Sequence, residues 1–267
     1  MKKTISLITL ISLAFTLFGI NVNAQKVASP SVTLQEQNTM SVLWFQSAGE
    51  AKALYYQGYN IGRLRLDEAL SGKQNDKHFK PAVVLDIDET ILDNSPKYAS
   101  SVLTGKKVSW NQWINNAVAK PLPGAIEFLK YADSKGVAIY YISNRGEAYK
   151  EPTIKNLHNV GAPQANAEHV LLKQPGENGK ETRRKQVTQT HEIVLLFGDN
   201  LGDFRGFDGL TTMKRNQAVE QHRAEFGKKL IVFPNPMYGD WEGAIYQYDH
   251  IKSPEELARI RKENLRP

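Results

Sequence analysis

The sequence predicts an α/β protein with a doubly wound parallel sheet, and two observations lead to this prediction. Five short segments are almost continuously apolar and rich in β-branched residues, as expected for strands that are buried on both faces. Segments with helical patterns lie between them, which is the order expected when a crossover helix follows each strand. The predicted strands are residues 82–87, 137–142, 169–172, 193–197 and 230–233.

Helical segments precede, separate and follow these strands. Before the first strand, residues 34–70 form an amphipathic helical pattern, and the polar stretch 71–80 predicts a loop. Ser253 and Glu256 have the spacing of a capping box, which predicts the start of a last helix. The predicted helical segments after the first strand are residues 110–119, 123–135, 151–160, 180–189, 218–226 and 253–262.

The first 24 residues have the features of a bacterial secretory signal peptide. Two lysines precede a 16-residue apolar stretch, residues 5–20, and the small residue Ala24 ends a suitable cleavage site. We therefore expect cleavage after Ala24 and a periplasmic or secreted protein. An uncleaved membrane anchor is the alternative, but 16 residues are short for a span. No lipobox cysteine follows, so we expect no stable membrane anchor.

The composition excludes several classes of protein. The chain has no cysteine, which excludes a disulfide scaffold, a zinc ribbon and a cysteine nucleophile. Its six histidines form no pair at the spacing of an HExxH zinc site. A net charge of +6 over 267 residues is mild, and it favours a solvated basic surface over a site for a nucleic acid polymer.

Four aspartates follow the ends of two predicted strands. Asp86 and Asp88 follow the first strand, and Asp199 and Asp203 follow the fourth. Ligands of an open parallel sheet bind beyond the carboxyl ends of its strands, so we expect the four side chains to converge. Asp199 and Asp203 come together if the chain turns helically between them. Converging carboxylates repel each other unless a cation lies among them, and oxygen ligands alone favour Mg²⁺. All four are therefore predicted metal ligands.

The same residues can carry out a phosphoryl transfer. Asp86 is the natural nucleophile, because a carboxylate can attack phosphorus and form an aspartyl-phosphate. Asp88 can protonate the leaving alcohol and later accept a proton from water. Ser143, after the second strand, can hold phosphoryl oxygens. A lysine is needed to neutralise the developing charge, and both Lys173 and Lys180 are candidates.

Two segments carry a resemblance to a known family. Residues 84–94 read VLDIDETILDN, and residues 194–204 read VLLFGDNLGDF. Together they resemble the bipartite signature of the class C bacterial acid phosphatases, the four-aspartate branch of the haloacid dehalogenase superfamily. The resemblance extends over residues 33–245 and includes residues 141–145 (YISNR), residues 234–239 (PNPMYG), Trp110 and Trp113.

The resemblance implies a haloacid-dehalogenase-like Rossmannoid core with a parallel sheet and a small helical cap. It implies a single phosphatase domain, residues 25–267, after the signal peptide at residues 1–24. Within this domain, the implied cap comes from residues 33–80 and 94–120, and the implied α/β core comes from residues 81–93 and 121–250.

The resemblance also implies a role for individual residues. Asp86 matches the nucleophile, Asp88 the acid/base and Ser143 the phosphate ligand. Asp199 matches the metal aspartate, and Asp203 matches its supporting partner.

The resemblance also bears on the lysine and on the substrate-binding residues. Lys180 fits the family's lysine position better than Lys173 does. The aromatic residues that match Trp110 and Tyr238 flank the base in relatives that take nucleotides, which agrees with the tendency of aromatic faces to stack on bases. The expected substrate-binding residues are Asn144, Arg145, Trp110 and Tyr238.

The implied function is an exported, Mg²⁺-dependent acid phosphatase that hydrolyses small phosphomonoesters, such as nucleoside monophosphates and aryl phosphates. Two alternatives stay open: a non-catalytic phosphate-binding, nucleotide-binding or storage protein on the same fold, and a phosphotransferase. The oligomeric state, monomer or homodimer, also stays open. One departure from the family pattern is Lys97, an extra residue before Tyr98, which we expect at the rim of the pocket.

Overall fold

The computed structural model describes residues 33–73, 76–249 and 251–267, and Val32–Pro267 forms one compact unit. The predicted signal peptide and its cleavage site after Ala24 lie outside the described residues. The strands are β1 (Pro81–Leu85), β2 (Leu92–Asp93), β3 (Lys120–Pro121), β4 (Ala138–Gly146), β5 (Val170–Lys173), β6 (Glu192–Gly198) and β7 (Leu230–Val232).

The main sheet has five parallel strands in the order β5-β4-β1-β6-β7. In chain order this is 3-2-1-4-5, the doubly wound arrangement, and it confirms the predicted fold class. All five predicted strands are present. The strand order reverses at β1, so the crevice beyond the ends of β1 and β6 is where such a sheet binds ligands.

Helices flank the sheet. The helices Ser95–Thr104 and Asp240–Ile245 were not among the predicted helical segments, and several predicted helices differ in extent from the prediction. The pattern at 34–70 is interrupted by Ala48, whose extended backbone separates two helices. The helix predicted at 218–226 instead begins at 212, because the Thr211 hydroxyl accepts a hydrogen bond from the Lys214 amide and caps it there. The helices are α1 (Thr39–Ser47), α2 (Gly49–Leu70), α3 (Ser95–Thr104), α4 (Trp110–Asn116), α5 (Ala125–Ser134), α6 (Lys150–Asn159), α7 (Glu181–Thr188), α8 (Thr212–Gln221), α9 (Asp240–Ile245) and α10 (Pro254–Glu263).

The long helix α2 packs on the sheet. The ring of Tyr59 lies 5.9 Å from that of Phe197 at the end of β6 and 4.6 Å from that of Phe233 after β7. Gly62 permits this approach, because a Cβ there would lie 2.6 Å from the Phe197 ring. The structure thus places α2 in the α/β core, whereas the resemblance implied a contribution of this segment to the cap.

The chain between β2 and β3 leaves the core and forms the helices α3 and α4. The two short strands pair antiparallel, with Leu92 opposite Pro121, and close the base of this excursion. Ser109 caps α4 by accepting a hydrogen bond from the Gln112 amide at 3.4 Å. This cap fixes the start of α4, so that Trp110 is held at its first turn.

None of the helices in the described part of the chain is long and apolar enough to cross a membrane.

Candidate active site

The residues beyond the carboxyl ends of β1, β4 and β6 line a cavity of about 350 Å³, which we call the phosphate cavity. The structure brings every predicted catalytic, substrate-binding and metal residue to it, although these residues are spread over more than 150 positions of the sequence. They are Asp86, Asp88, Trp110, Ser143, Asn144, Arg145, Lys180, Asp199, Asp203 and Tyr238.

Lys180 is the lysine at the bottom of this cavity. Its ammonium donates a hydrogen bond to the Asp86 carboxylate and forms an ion pair with Asp203 at 2.7 Å. The Lys180 side chain is only 3% exposed. Lys173 ends β5 and is not among the residues that line the cavity. Of the two candidate lysines, the structure therefore brings Lys180 to Asp86.

Three carboxylates form a cluster that could hold a metal ion. Asp86, Asp199 and Asp203 each offer an oxygen within 4.8 Å of the other two. The turn Leu201–Asp203 is a short 3-10 helix, so Asp203 folds back towards Asp199 as the spacing of four predicts. Its carboxylate is anchored by the Asn200 amide at 2.9 Å.

Gly198 lets the Asp203 carboxylate approach the backbone. A Cβ at this position would lie 2.2 Å from Oδ2 of Asp203, so no larger residue fits without displacing the carboxylate. Asn235, after β7, donates a hydrogen bond to Asp199 at 2.8 Å and orients the second ligand. Asn235 belongs to the segment 234–239 that carries the family resemblance, but the sequence alone assigned it no role.

The electrostatics of the cluster fit a cation. Burial raises the pKa of Asp86, Lys180 lowers it, and the charges of Asp203 and Asp88 raise it, with a net pKa of about 7. Burial, with the charges of Asp203 and Asp86, also raises the pKa of Asp199. Buried carboxylates in mutual repulsion gain stability when a positive ion lies among them. The donors are all carboxylate oxygens, which is the chemistry of a hard divalent cation.

Asp88 stands apart from this cluster because Arg145 holds it. Arg145 donates from Nη2 to one carboxylate oxygen at 2.7 Å and from Nε to the other at 3.0 Å. Asn94 adds a third hydrogen bond to Asp88 at 2.8 Å. The Asp88 carboxylate is not part of the cluster of three, and its role as a fourth metal ligand stays a prediction. The Arg145 guanidinium binds Asp88 and Thr153, and the residue lines the cavity, so its role in substrate binding also stays a prediction.

The pair also determines the proton affinity of Asp88. Burial alone would raise the pKa of this carboxyl, but the charge and hydrogen bonds of Arg145 outweigh it and lower the pKa below its usual range. Asp88 is thus ionised at neutral pH, and it binds a proton only in acid.

The end of β4 is held rigidly around Ser143. The Ser143 hydroxyl accepts a hydrogen bond from the Arg145 amide at 3.2 Å, and its Oγ lies 3.5 Å from Asp88. Arg183 of α7 binds the Ser143 carbonyl and donates to the Asn144 side chain at 2.9 Å. Asn144 is exposed towards the cavity, whereas Ser143 is buried. This geometry presents a hydroxyl and an amide to a bound oxyanion.

Glu89 is a buried carboxyl that contacts residues of the site, and the sequence analysis assigned it no role. It is fully buried, it accepts a hydrogen bond from the Asn94 amide at 2.8 Å, and the Tyr238 hydroxyl donates to it. Burial and the charge of Asp88 raise its pKa to about 8. An ionisable residue directly after Asp88 at the end of a buried strand is the sequence signal that could have indicated this residue.

Aromatic rings form one wall of the cavity. Tyr238 lies 6.2 Å from Trp110 in an edge-to-face arrangement, and Tyr98 stacks on Tyr238 at 4.8 Å. Lys97 was expected at the rim, but it is only 2% exposed and lies against Tyr98 and Trp110. Its place in a helix turn of α3 directs it behind the rings rather than to the opening.

Comparison with known proteins places this site in a family. Residues 2–241 match the model of the acid phosphatases of subfamily IIIB in the HAD superfamily. The chain therefore belongs to the subfamily IIIB acid phosphatases of the haloacid dehalogenase superfamily. This membership confirms the enzyme class expected from the sequence, a phosphomonoesterase.

Solved structures confirm the resemblance to the class C branch. The chain is 59% identical to the class C acid phosphatase from Bacillus anthracis, with a TM-score of 0.84 over 87% of this chain and 98% of the other. A second structure of that enzyme, with tungstate bound, has the same identity, a TM-score of 0.85 and coverage of 88% and 98%.

Plant relatives are more distant. The chain is 23% identical over 165 residues to acid phosphatase 1 from Solanum lycopersicum, which covers 58% of this chain and 57% of that protein. It is 26% identical over 172 residues to a stem 28 kDa glycoprotein from Glycine max, which covers 60% of this chain and 61% of that protein. The chain thus spans about three fifths of the length of these two relatives.

Proposed function

We propose that this protein is a Mg²⁺-dependent acid phosphatase that hydrolyses small phosphomonoesters through an aspartyl-phosphate on Asp86. One observation carries the proposal: the Asp86 carboxylate lies at the bottom of the phosphate cavity, bound by Lys180 and adjacent to Asp199 and Asp203. A nucleophilic carboxylate, a cation beside it and further carboxylates for a metal are the components that phosphoryl transfer needs.

The chain's own residues account for the bonds that form and break. An oxygen of Asp86 attacks phosphorus, and the bond from phosphorus to the leaving alcohol oxygen breaks. Lys180 neutralises negative charge beside the nucleophile, and the Ser143 hydroxyl and Asn144 amide donate to phosphoryl oxygens. Water then attacks the aspartyl-phosphate and releases phosphate, which regenerates the Asp86 carboxylate.

Asp88 moves the proton in both steps. Its protonated form donates to the leaving alcohol, and the resulting carboxylate accepts a proton from the attacking water. Because Arg145 lowers the pKa of Asp88, the protonated form exists only at acidic pH. This relationship gives a physical reason for an acid pH preference.

The metal would be held by Asp86, Asp199 and Asp203, whose carboxylate oxygens suit Mg²⁺. When bound, the ion supplies positive charge that offsets the charge of the phosphoryl group. The tungstate in the structure from Bacillus anthracis supports an oxyanion site in this fold, because tungstate is a tetrahedral oxyanion like phosphate.

The aromatic wall supports substrates with a flat organic group. Trp110 and Tyr238 are half-buried at the cavity, and such rings bind a base or an aryl group by stacking at about 1–3 kcal/mol each. Nucleoside 5′-monophosphates and aryl phosphates are therefore the proposed substrates. The signal-like first 24 residues support a proposed location in the periplasm or outside the cell.

The test is release of phosphate from 5′-AMP and from p-nitrophenyl phosphate by the full chain, with Mg²⁺ and with EDTA. We expect hydrolysis of both with Mg²⁺ and loss with EDTA. Asp86→Asn should abolish turnover, whereas the control Asp67→Asn, an exposed aspartate far from the cavity lining, should keep wild-type rates.

Other results would identify the alternatives. Mg²⁺ binding by a folded protein that releases no phosphate would indicate a binding or storage protein. Release of more alcohol than phosphate in the presence of a nucleoside acceptor would indicate a phosphotransferase. Wild-type turnover by Asp86→Asn would refute the nucleophile.

A further inference from the structure

A second cavity lies beside the phosphate cavity and shares two of its aromatic residues. Its volume is about 320 Å³, and the rings of Trp110 and Tyr238 belong to the lining of both cavities. We call it the Lys97 cavity. Its lining also includes Lys97, Tyr98, Lys107, Glu242 and Arg261.

Lys97 is a largely buried residue whose ammonium contacts two aromatic rings. The residue is 2% exposed, and its Nζ lies 4.3 Å from the centre of the Tyr98 ring and 4.5 Å from that of Trp110. Aromatic faces attract a cation, but they offer no oxygen acceptor to its N–H donors. Lys97 lines the cavity, so a molecule bound there can supply such an acceptor.

The charges around the cavity compensate Lys97 only in part. Arg261 of α10 is paired with Glu242 of α9, so the single acidic side chain of the lining is already engaged. Lys107 adds a second ammonium. Burial and the charge of Lys107 lower the pKa of Lys97 to about 8, although the charge of Glu89 acts in the opposite direction, and Lys97 is still protonated at neutral and acidic pH. A buried charge that is only partly compensated is stabilised when a partner of opposite sign is bound.

We propose that the Lys97 cavity is an anion-binding site in which the Lys97 ammonium binds a phosphate or carboxylate group. Two sources share this chemistry. The group can be a second anionic group of a substrate whose reacting phosphate lies in the phosphate cavity and whose flat part contacts Trp110 and Tyr238. It can also be a free anion. Binding of a substrate group rests on the phosphatase activity proposed above, whereas binding of a free anion does not.

The first experiment tests the substrate as the source. It compares kcat/KM for adenosine 3′,5′-bisphosphate with kcat/KM for p-nitrophenyl phosphate, which has no second anionic group. We expect Lys97→Met to lower the ratio of these values about tenfold, the usual loss for one charge-assisted hydrogen bond. Lys97→Arg should retain most of the ratio because it keeps the charge.

A matched control separates the anion site from a loss of ring packing. Lys135→Met removes a lysine that lies 5.3 Å from the ring of Tyr131, outside both cavities, and should leave the ratio unchanged. Lys97→Met can instead lower kcat/KM for both substrates equally. That result would show that Lys97 only supports the packing of Tyr98 and Trp110, and it would overturn the proposal that Lys97 binds a second anionic group of the substrate.

The second experiment tests a free anion. It measures the increase in Tm caused by sodium sulfate relative to sodium chloride at equal ionic strength. Sulfate in the phosphate cavity contributes equally to all variants, so a smaller increase in Lys97→Met than in wild type and Lys135→Met would show binding at Lys97. The proposal is overturned if Lys97→Met has the same ratio of kcat/KM values for the two substrates as wild type and also the same increase in Tm with sulfate. If the wild-type protein hydrolyses neither substrate, the proposed function fails. The sulfate measurement alone then tests whether the Lys97 cavity binds an anion.

Discussion

Arg145 holds the Asp88 carboxylate in a buried, two-pronged ion pair, with Nη2 at 2.7 Å from one oxygen and Nε at 3.0 Å from the other. The Arg145 side chain is 3% exposed and that of Asp88 is 16% exposed, so water screens the pair only weakly. The pair holds the Asp88 carboxylate apart from the cluster of Asp86, Asp199 and Asp203 and lowers its pKa. Both effects suit the proposed role of Asp88, which is to give and take a proton beside Asp86.

Replacement of Arg145 should change the pH dependence of turnover. Without the guanidinium, burial raises the pKa of Asp88, so the protonated acid persists to higher pH. For Arg145→Met we expect the alkaline limb of the profile of kcat/KM against pH to move up by about one unit or more, with a lower maximum because Asp88 is less well oriented. For Arg145→Lys, which keeps a positive charge, we expect an alkaline limb between those of wild type and Arg145→Met. A fall in rate with an unchanged alkaline limb would contradict this role for Arg145.

Removal of Lys180 should destabilise the fold as well as abolish activity. Lys180→Met leaves the buried carboxylates of Asp86 and Asp203 without their cation, which we expect to cost about 3–5 kcal/mol of unfolding free energy. The measurement is urea unfolding in EDTA at pH 8, where Asp86 of the wild type is ionised. Adding Asp86→Asn to this variant removes one unpaired charge and should recover part of the loss. A double variant no more stable than Lys180→Met alone would refute the electrostatic explanation.

Metal binding should stabilise the folded protein through Asp199. We expect Mg²⁺ to increase Tm relative to EDTA, and Asp199→Asn to remove most of this increase. Asn235→Ala removes the hydrogen bond to Asp199, and also those that the Asn235 side chain accepts from the amides of Met237 and Tyr238, and it should weaken Mg²⁺ binding about tenfold. Burial raises the pKa of Asp199, so protons compete with the ion and the increase in Tm should shrink as the pH falls. An equal increase in Asp199→Asn and wild type would contradict the assigned cluster.

Lys97 should give the stability of the protein a distinctive pH dependence in alkaline solution. Its pKa is about 8 in the folded protein and 10.5 ordinarily, so between these values the unfolded chain binds more protons at this residue. The stability of wild type relative to Lys97→Met should therefore increase as the pH rises from 8 to 10.5. The measurement is Tm of both proteins across this range in a chloride buffer without sulfate or phosphate. A difference in Tm that does not vary with pH would show that the Lys97 ammonium is not penalised by burial.

Much of the fold followed from local patterns. Each of the five strands of the main sheet contains a short, almost continuously apolar segment, and the capping box at Ser253 starts α10 as predicted. Boundaries were less predictable where a single residue decides them. Ala48 adopts an extended conformation that its residue type does not predict. Thr211 caps α8, which therefore begins six residues before the predicted position.

The positions of the aspartates in the fold were predictable from the sequence. Aspartates that directly follow buried parallel strands must reach the same edge of the sheet, because all carboxyl ends meet there. The proximity of Asp86 and Asp199 could therefore be predicted from their positions after β1 and β6 alone.

The pairing of the charged groups, in contrast, depends on how the elements pack together. Asp88 and Arg145 are 57 residues apart, and Lys180 and Asp86 are 94 apart, so no local pattern relates them. The same holds for Lys97, which lies behind the aromatic wall rather than at its rim because α3 packs it there. The physical reason is that Coulomb energies and hydrogen bonds depend on distances of a few ångströms, which arise only when the helices and the sheet are packed together.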